Sequence, residues 1–289
     1  MANRKYTCTF FFRLLDFADL TVDGSIATGA AVSVMLIRAG VSPIATLPIA
    51  FLAGALAGMV TGLLNTALGI PGILASILTQ ISLYSINLNI MGKANQPVSV
   101  DNYPLVVSLR YVTDGSVSRL LFFLGMIVFL LALIAVMYWY FGTEQGHAIR
   151  ATGCNGNMAR AQGINTNFIK VLALMISNGL VGLCGALYGQ FQGASDVNMG
   201  RGAIVIGLAA VIIGEVLFGK FASKRKLAFA FTLASVILGA VIYYMVYQFV
   251  LWLKMPSEDM KLFSAIVVAI FLAIPYLKEK RTLRKGASK

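Results

Sequence analysis

Long apolar runs constrain the fold of this chain more than any other feature. Eight can be marked along its 289 residues, at 25–37, 43–68, 71–90, 120–141, 168–191, 203–218, 227–253 and 262–277. A membrane-spanning helix needs about 20 apolar residues, within a range of about 17–25, and most runs reach that length. Only 12% of the residues are charged, whereas soluble domains have about 25%. The sequence therefore predicts an all-α polytopic membrane protein with about eight membrane segments.

Two of the runs, 25–37 and 203–218, are short for a membrane-spanning helix. We expect each of them to be a broken or re-entrant segment. Such backbone is tolerated at membrane depth only where protein or a water-filled cavity surrounds it. Two prolines mark further features: Pro71 is expected to begin the third membrane helix, and Pro275 to kink the last one.

No linker rich in Pro, Gly or Ser divides the chain. We therefore predict one transmembrane domain over residues 25–277, between an N-terminal segment (1–24) and a basic tail (278–289) that lies beside anionic lipid headgroups. With both termini in the cytoplasm, 16 of the 23 Lys and Arg residues lie inside and the other 7 outside, as the positive-inside rule favours. The net charge of +12 therefore reflects topology, and it does not indicate binding of nucleic acid.

One stretch between two apolar runs, residues 142–165, is too polar to lie in lipid. It contains Glu144, Arg150 and Arg160, with small residues at helical spacings. The charge distribution puts this stretch in the cytoplasm. We interpret it as a short helix that is presented to a soluble partner, which makes the chain one component of a larger assembly.

The chain lacks the patterns of an enzyme or a metal site. His147 is its only histidine, and no third group is evident that would orient it as a catalytic partner of Cys154. The segment from Gly214 to Lys220 has the spacing of a phosphate loop, but Phe221 stands where a magnesium-binding Ser or Thr is needed. We predict no catalytic residue, metal or cofactor on this chain; if the protein uses ATP, another chain binds it.

Three polar side chains inside apolar runs are candidates for a pathway or a gate. Glu215 is the carboxylate that lies well inside a run, where either a function or a structural anchor near the interface explains it. Asn178 and Gln190 lie in the fifth run, where they either line a path or hold helices together by hydrogen bonds. The sequence leaves these alternatives open.

Three carboxylates precede the first run, at Asp16, Asp19 and Asp23. They either bind a cation or stabilise an irregular turn, since the stretch from Asp23 to Ser25 is also a turn and helix-cap signal.

Glycines recur at intervals of four residues in two of the runs. This spacing places each set on one helix face, where glycine lets membrane helices approach closely. We expect packing within the chain, with a moving interface as the alternative, for Gly54, Gly58 and Gly62 and for Gly185, Gly189 and Gly193.

The polar stretch from Gly146 to Ile164 resembles the cytoplasmic coupling segment of bacterial ABC importer permeases of the branched-chain amino acid and ribose type. The motif DLTVDGS, which begins at Asp19, and the stretch GLAAVIIGEVLFG, from Gly207 to Gly219, resemble a subgroup associated with uptake of aromatic or other amino acids. The resemblance covers nearly the whole chain. Carried over by position, it implies a coupling element made of Arg150, Ala151, Gly153, Asn155, Ala159, Gly163 and Ile164.

This resemblance implies a set of partners in the bacterial plasma membrane. Two permease subunits, expected to be identical because symmetric dimers are common, would pack within the lipid. Two cytoplasmic ATPase subunits would bind ATP and magnesium and dock on the coupling segments. A substrate-binding protein on the far side would deliver a small solute, expected to be an aromatic or branched-chain amino acid, for alternating access.

One departure concerns the N-terminus. Permeases of this subgroup have a further membrane helix before the DLTVDGS motif, whereas residues 1–12 are too short to span a bilayer. We therefore expect that the beginning of the chain is truncated or that its reading frame is shifted there.

A second class of function remains open from the sequence. An ion- or proton-coupled secondary transporter would use Glu215 and the carboxylates at Asp16, Asp19 or Asp23, and it would work without an ATPase. Such transporters often have internal repeats with paired broken helices, and no convincing repeat surrounds the two short runs.

Overall fold

The computed structural model describes residues 19–98, 103, 105–107, 116–222 and 228–252. Its helices are α1 (Val22–Arg38), α2 (Pro43–Thr66), α3 (Gly72–Met91), α4 (Ser116–Phe141), α5 (Glu144–Cys154), α6 (Gly156–Ala161), α7 (Thr166–Gln192), α8 (Ala203–Ala222) and α9 (Ala228–Trp252). Two strands, β1 (Asn95–Pro97) and β2 (Ala194–Asp196), accompany them. The predicted helical class is confirmed, since seven apolar runs form helices. The eighth, 262–277 with Pro275, lies outside the described residues.

Four stretches in the described part are long and apolar enough to cross a membrane: α2, α3, α7 and the Phe123–Phe141 part of α4. Large apolar side chains such as Leu52 (60% exposed) and Leu56 (55%) cover the outer side of α2, as expected for a surface in contact with lipid. Helix α3 begins immediately after Pro71, which confirms the predicted start.

The described residues fall into two compact units, divided after Ala203. The second unit contains the rest of α8 together with α9. These two helices pack closely at Gly214, where an added Cβ would overlap the carbonyl oxygen of Ser235. The single transmembrane domain of residues 25–277 stays a prediction.

In the first unit, α1 is the central element. Ten of its 17 residues are buried, and it packs against α2, α3 and α7. Most of its buried residues are small, which allows three neighbours to approach one helix. Helix α7 runs parallel to it, because Ser25 contacts Asn178 and Ser33 contacts Gln190 further along both helices.

Helices α2 and α7 are antiparallel, and they pack closely at three glycines of α2. A Cβ at Gly54 would overlap the carbonyl oxygen of Asn178, and one at Gly58 would overlap that of Leu174. At Gly62 it would lie 2.9 Å from the Cα of Val171. The glycine stripe of α2 therefore packs within the chain, as expected.

The second stripe packs in the same way on α1. A Cβ at Gly185 would overlap the carbonyl oxygen of Ile26, and one at Gly189 would lie 3.1 Å from the Cβ of Ala30. Gly193, the third member, instead ends α7 with φ of 66°.

Helix α1 begins at the depth of Asn178, near the middle of α7. After β2 the chain returns to this depth, where Gly200 packs against the backbone of Asp23. The runs 25–37 and 203–218 form the continuous helices α1 and α8, so neither helix is broken, and the re-entrant alternative stays a prediction. The run 25–37 is short because α1 starts inside the bundle, where surrounding protein satisfies its first turn.

Antiparallel pairing of β1 with β2 links the end of α3 to the end of α7. Asn95 pairs with Asp196 and Pro97 with Ala194. Gln96 donates to the carbonyl oxygen of Met91 and accepts a hydrogen bond from Arg38, which ties α1 to the same end.

Candidate functional site

Local hydrogen bonds define where α5 begins. The hydroxyl of Thr143 accepts from the N–H of Gly146 and caps the helix, and Glu144 in the first turn complements the helix dipole. A Cβ at Gly146 would lie 2.5 Å from the Cα of Phe141, so the turn out of α4 requires glycine there.

Asn155 separates α5 from α6. Its extended backbone (φ −158°, ψ 97°) ends the first helix, while its side-chain oxygen accepts from the N–H groups of Asn157 (3.1 Å) and Met158 (3.0 Å). Asn155 therefore caps α6, and its extended backbone fixes the angle between the two helices.

The end of α6 is a Schellman motif. The N–H of Gly163 donates to the carbonyl oxygen of Arg160, and the N–H of Ile164 donates to the carbonyl oxygen of Ala159. Gly163 has a positive φ of 82°. The guanidinium of Arg160 also donates to the hydroxyl of Thr166 at 2.9 Å, which ties α6 to the first turn of α7. Glycine is therefore needed at position 163 because of its positive φ, and not only because it is small.

Replacement of Gly163 by alanine should loosen this motif, because an L-residue is strained at positive φ by about 1–2 kcal/mol. Gly156→Ala is the matched control, since at both glycines an added Cβ would have no atom within 4 Å, and Gly156 has no positive φ. We expect faster amide hydrogen exchange at Gly163 and Ile164 in the Gly163 variant than in the Gly156 variant. Equal exchange in both would contradict the role of the motif.

The residues predicted to form a coupling element differ in exposure. Arg150, Asn155 and Gly163 are exposed, Ala151, Gly153 and Ile164 are half-buried, and Ala159 is buried. Ala159 therefore shapes the segment through its carbonyl oxygen and offers no surface to a partner. Sequence reasoning missed Met158, which is 58% exposed on α6. An apolar side chain within a polar stretch was the available signal.

His147 and Cys154 are both exposed on α5. The Nδ1 of His147 lies 2.8 Å from the carbonyl oxygen of Thr143, one turn earlier. The described residues contain no group of three His, Cys, Asp or Glu side chains that could hold a metal ion.

A second polar region lies inside the first unit, where α1 begins. Asn178 donates to the carboxylate of Asp19 at 2.7 Å and accepts from the hydroxyl of Ser25 at 2.6 Å. The hydroxyls of Thr21 and Thr61 lie 2.8 Å apart, and the N–H of Thr21 donates to Asp19. We call these five residues the α1 entry cluster. Sequence reasoning missed its Thr61, although a polar residue in an apolar run was the signal.

The contacts of Asp19 and Asp23 favour the structural alternative over a cation site. Both oxygens of Asp19 accept from N–H groups, and one oxygen of Asp23 accepts from the N–H of Gly202 at 3.0 Å. These hydrogen bonds hold the chain at the start of α1, as the structural alternative expects. Asp16 lies outside the described residues.

Gln190 belongs to a third group of polar contacts. Its amide nitrogen donates to Ser33 (3.2 Å), to Thr46 (3.3 Å) and to the carbonyl oxygen of Pro43 (3.3 Å), and its oxygen accepts from the N–H of Val106. Gln190 and Asn178 are both buried, and these contacts hold helices together. Their role in a pathway or gate stays a prediction. The same is true of Glu215, which lies in α8 but whose side chain is outside the described part.

Comparisons with known proteins agree with this architecture. The chain is 38% identical to the tyrosine transport system permease protein of Clostridioides difficile over 262 residues, which are 91% of this chain and 83% of that protein. It is 31% identical to an uncharacterized protein of Rickettsia prowazekii (91% and 89% covered). It is 28% identical to the autoinducer 2 import system permease protein LsrC of Yersinia pseudotuberculosis (81% and 62% covered). No solved structure matches it.

A family match covers most of the chain. Residues 7–275 match the family described as branched-chain amino acid transport system / permease component. Proteins of this family are transport subunits of the membrane, which agrees with the apolar helices and with the exposed segment between α4 and α7. The chain is therefore a member of the branched-chain amino acid transport permease family, an ABC-type membrane permease.

Proposed function

We propose that this chain is the membrane-spanning subunit of an ATP-driven importer that moves a small amino acid by alternating access. The observation that supports the proposal best is the segment α5–α6, which lies between the membrane helices α4 and α7. Its exposed surface combines basic Arg150 with apolar Met158. Arg and Met are enriched at protein interfaces, so their exposure on this segment suits a docking surface for a soluble subunit. On this proposal an ATPase chain docks there and binds the ATP and magnesium.

The contacts around α6 suggest how movement of the ATPase would reach the membrane. Arg160 joins α6 to Thr166 at the start of α7. Helix α7 in turn packs through glycine against both α1 and α2, so it cannot move without them. A displacement of α5–α6 is therefore transmitted to the three helices as a packed unit.

The substrate proposed here is an aromatic or branched-chain amino acid, because a permease of a tyrosine transport system is among the relatives. The further partners are a second copy of this chain, an extracytoplasmic binding protein and membrane lipid. Uptake of labelled tyrosine and leucine into proteoliposomes that contain the permease, its ATPase and its binding protein tests the substrate. ATP-dependent uptake of neither amino acid would contradict this part of the proposal.

Docking of the ATPase is tested by reversing charge on the exposed segment. We expect Arg150→Glu with Met158→Asp to lower the affinity for the ATPase at least roughly tenfold, since buried interface anchors often contribute 2 kcal/mol or more. Co-purification from native membranes measures it. Gly163 is unsuitable for this test because any side chain there strains the backbone.

Lys170→Glu is the control for the charge reversal at Arg150 alone. It makes the same change of charge as Arg150→Glu, but at a half-buried position of α7 outside residues 142–165. Normal ATPase binding by this control and loss of binding by the double variant would support the proposal. If the wild type binds no ATPase while uptake driven by an ion gradient persists, the proposal of an ATP-driven importer fails. The chain would then be an ion- or proton-coupled secondary transporter.

A further inference from the structure

A segment of turns follows β2 and runs back along α1 into the bundle. Its first residue, Val197, packs with Ala31 in the second half of α1. Further on, Gly200 lies so close to the first turn of α1 that an added Cβ would overlap the carbonyl oxygen of Asp23. We call residues 197–202 the return segment, because it leads back to the level at which α1 begins.

The end of the return segment lies level with the middle of two neighbouring helices. A Cβ at Gly24, in the first turn of α1, would lie 3.0 Å from the Cδ1 of Leu83, midway along α3. Ser25, in the same turn, donates to Asn178, midway along α7. Both α3 and α7 are long and apolar enough to cross a membrane. Irregular backbone at such a depth is tolerated only where protein surrounds it or where it lines a water-filled cavity.

Hydrogen bonds fix the conformation of the return segment. The N–H of Gly202 donates to the carboxylate of Asp23 at 3.0 Å, and the N–H of Arg201 donates to the carbonyl oxygen of Asn198 at 3.0 Å. Gly202 has φ of 89°, and a Cβ added to it would have no atom within 4 Å. The turn is therefore held in place on one side, and it borders open space on the other.

Arg201 places a cation on this turn. Its side chain is exposed, and among the described residues its guanidinium has no hydrogen-bond or ion-pair partner. The nearby carboxylate of Asp23 bonds to the backbone of Gly202 instead. Charged side chains at membrane depth are rare because their transfer into hydrocarbon is costly, and they mark the sites of substrates and ions. A bound anion would supply the countercharge of Arg201.

We propose that Arg201 binds the carboxylate of an amino acid inside the bundle. The inference rests on the proposed function and adds the residue that recognises the solute. A guanidinium donates two parallel hydrogen bonds to a carboxylate, which fixes the orientation of the ligand as well as its charge. Because Asp23 lies beside the same turn, the site has both signs of charge. It suits a ligand whose ammonium group is next to its carboxylate.

Equilibrium binding in the absence of the extracytoplasmic binding protein tests this site. The probes are labelled tyrosine and leucine, added without ATP to the full-length permease with its ATPase in phosphatidylcholine nanodiscs. Tyramine and 3-methylbutylamine, which lack only the carboxylate, are the competitors, and we expect them not to displace the amino acids. Arg201→Gln should lower the affinity at least roughly tenfold, because removal of one partner from a desolvated charge pair commonly costs more than that.

Lys93→Gln is the matched control, since it removes a cation from another exposed position, just beyond the end of α3. We expect it to bind both amino acids as the wild type does. Arg201→Lys should retain part of the affinity, because lysine keeps the charge but loses the planar fork. The unfolding midpoint of Arg201→Gln should equal that of the wild type, since the replaced side chain is exposed.

The outcomes separate this inference from the proposed function. Equal affinity of the wild type and Arg201→Gln overturns the inference, and so do displacement by the amines and a wild type that binds neither amino acid. Displacement of the amino acid by added phosphatidylglycerol would assign Arg201 to a lipid phosphate and overturn it too. ATP-dependent uptake by the wild type with its binding protein is measured in parallel. If uptake is present but binding does not depend on Arg201, only this inference fails; if uptake is absent, the proposed function itself fails.

Discussion

Replacement of Gly58 by alanine is expected to lower the free energy of unfolding by about 3 kcal/mol, the upper end of the usual cost of overpacking. The added Cβ would overlap the backbone carbonyl of Leu174. A backbone atom cannot rotate away as a side chain can, so α2 and α7 must separate. This separation also weakens the neighbouring contacts of Gly54 and Gly62 with α7. Unfolding in detergent micelles, followed by denaturant titration, measures the change.

Gly125→Ala in α4 is the matched control for Gly58→Ala. It adds the same methyl group to a membrane helix, but no atom lies within 4 Å of the Cβ position. Alanine has a helix propensity that is better than that of glycine by up to about 1 kcal/mol, so this control should be neutral or slightly stabilising. Equal destabilisation by both substitutions would mean that helix contact is not the role of Gly58.

The second large effect is expected at Asn178. Asn178→Leu keeps the branched shape of the side chain, although its two methyl groups are larger than the amide, and it removes the donor to Asp19 and the acceptor for Ser25. Because a buried carboxylate oxygen then loses its partner, we expect a loss of about 3 kcal/mol in the free energy of unfolding. The same denaturant titration measures it, and an unchanged stability would contradict the role of the α1 entry cluster.

A double-mutant cycle with Asp19→Asn separates the hydrogen bond from general packing. If the unpaired carboxylate causes most of the loss, Asp19→Asn should recover at least about 1 kcal/mol in the Asn178→Leu background. Simple addition of the two single losses would show that Asp19 and Asn178 act independently.

The extent of the membrane helices could be predicted from the sequence. Runs such as 43–68 and 71–90 became α2 and α3 with small shifts at their ends. Helical spacing also predicted the packing role of Gly54 and Gly58, because glycines four apart share a face whatever the neighbour is. What the pattern did not reveal is the neighbour, which for both residues is α7.

The polar contacts could not be predicted in the same way. Asp19 and Asn178 are 159 residues apart, and Asn95 pairs with Asp196 across about a third of the chain. The sequence left Asn178 open between pathway and packing, and Asp19 between cation site and turn. In the structure each is the hydrogen-bond partner of the other. Only the path of the chain through the bundle brings such groups together.

The segment α5–α6 was predicted from the sequence in part, unlike the membrane helices and the polar contacts. Its helical character was predicted from local spacing, whereas the cap at Asn155 is seen in the structure, where it binds N–H groups two and three residues further on. The need for glycine at position 163 follows from a positive φ that only the folded backbone displays. The exposure of Met158 and the burial of Ala159 follow from the angle between α5 and α6.

By itself, the sequence determined that this protein is a bundle of membrane helices with one polar segment between two of them. Run length and composition are local properties, and transfer of each run into lipid depends on them alone. The tertiary structure decided where α1 begins and which side chains satisfy its first turn. Those features depend on distances between residues far apart in the chain, which are set when the helices pack.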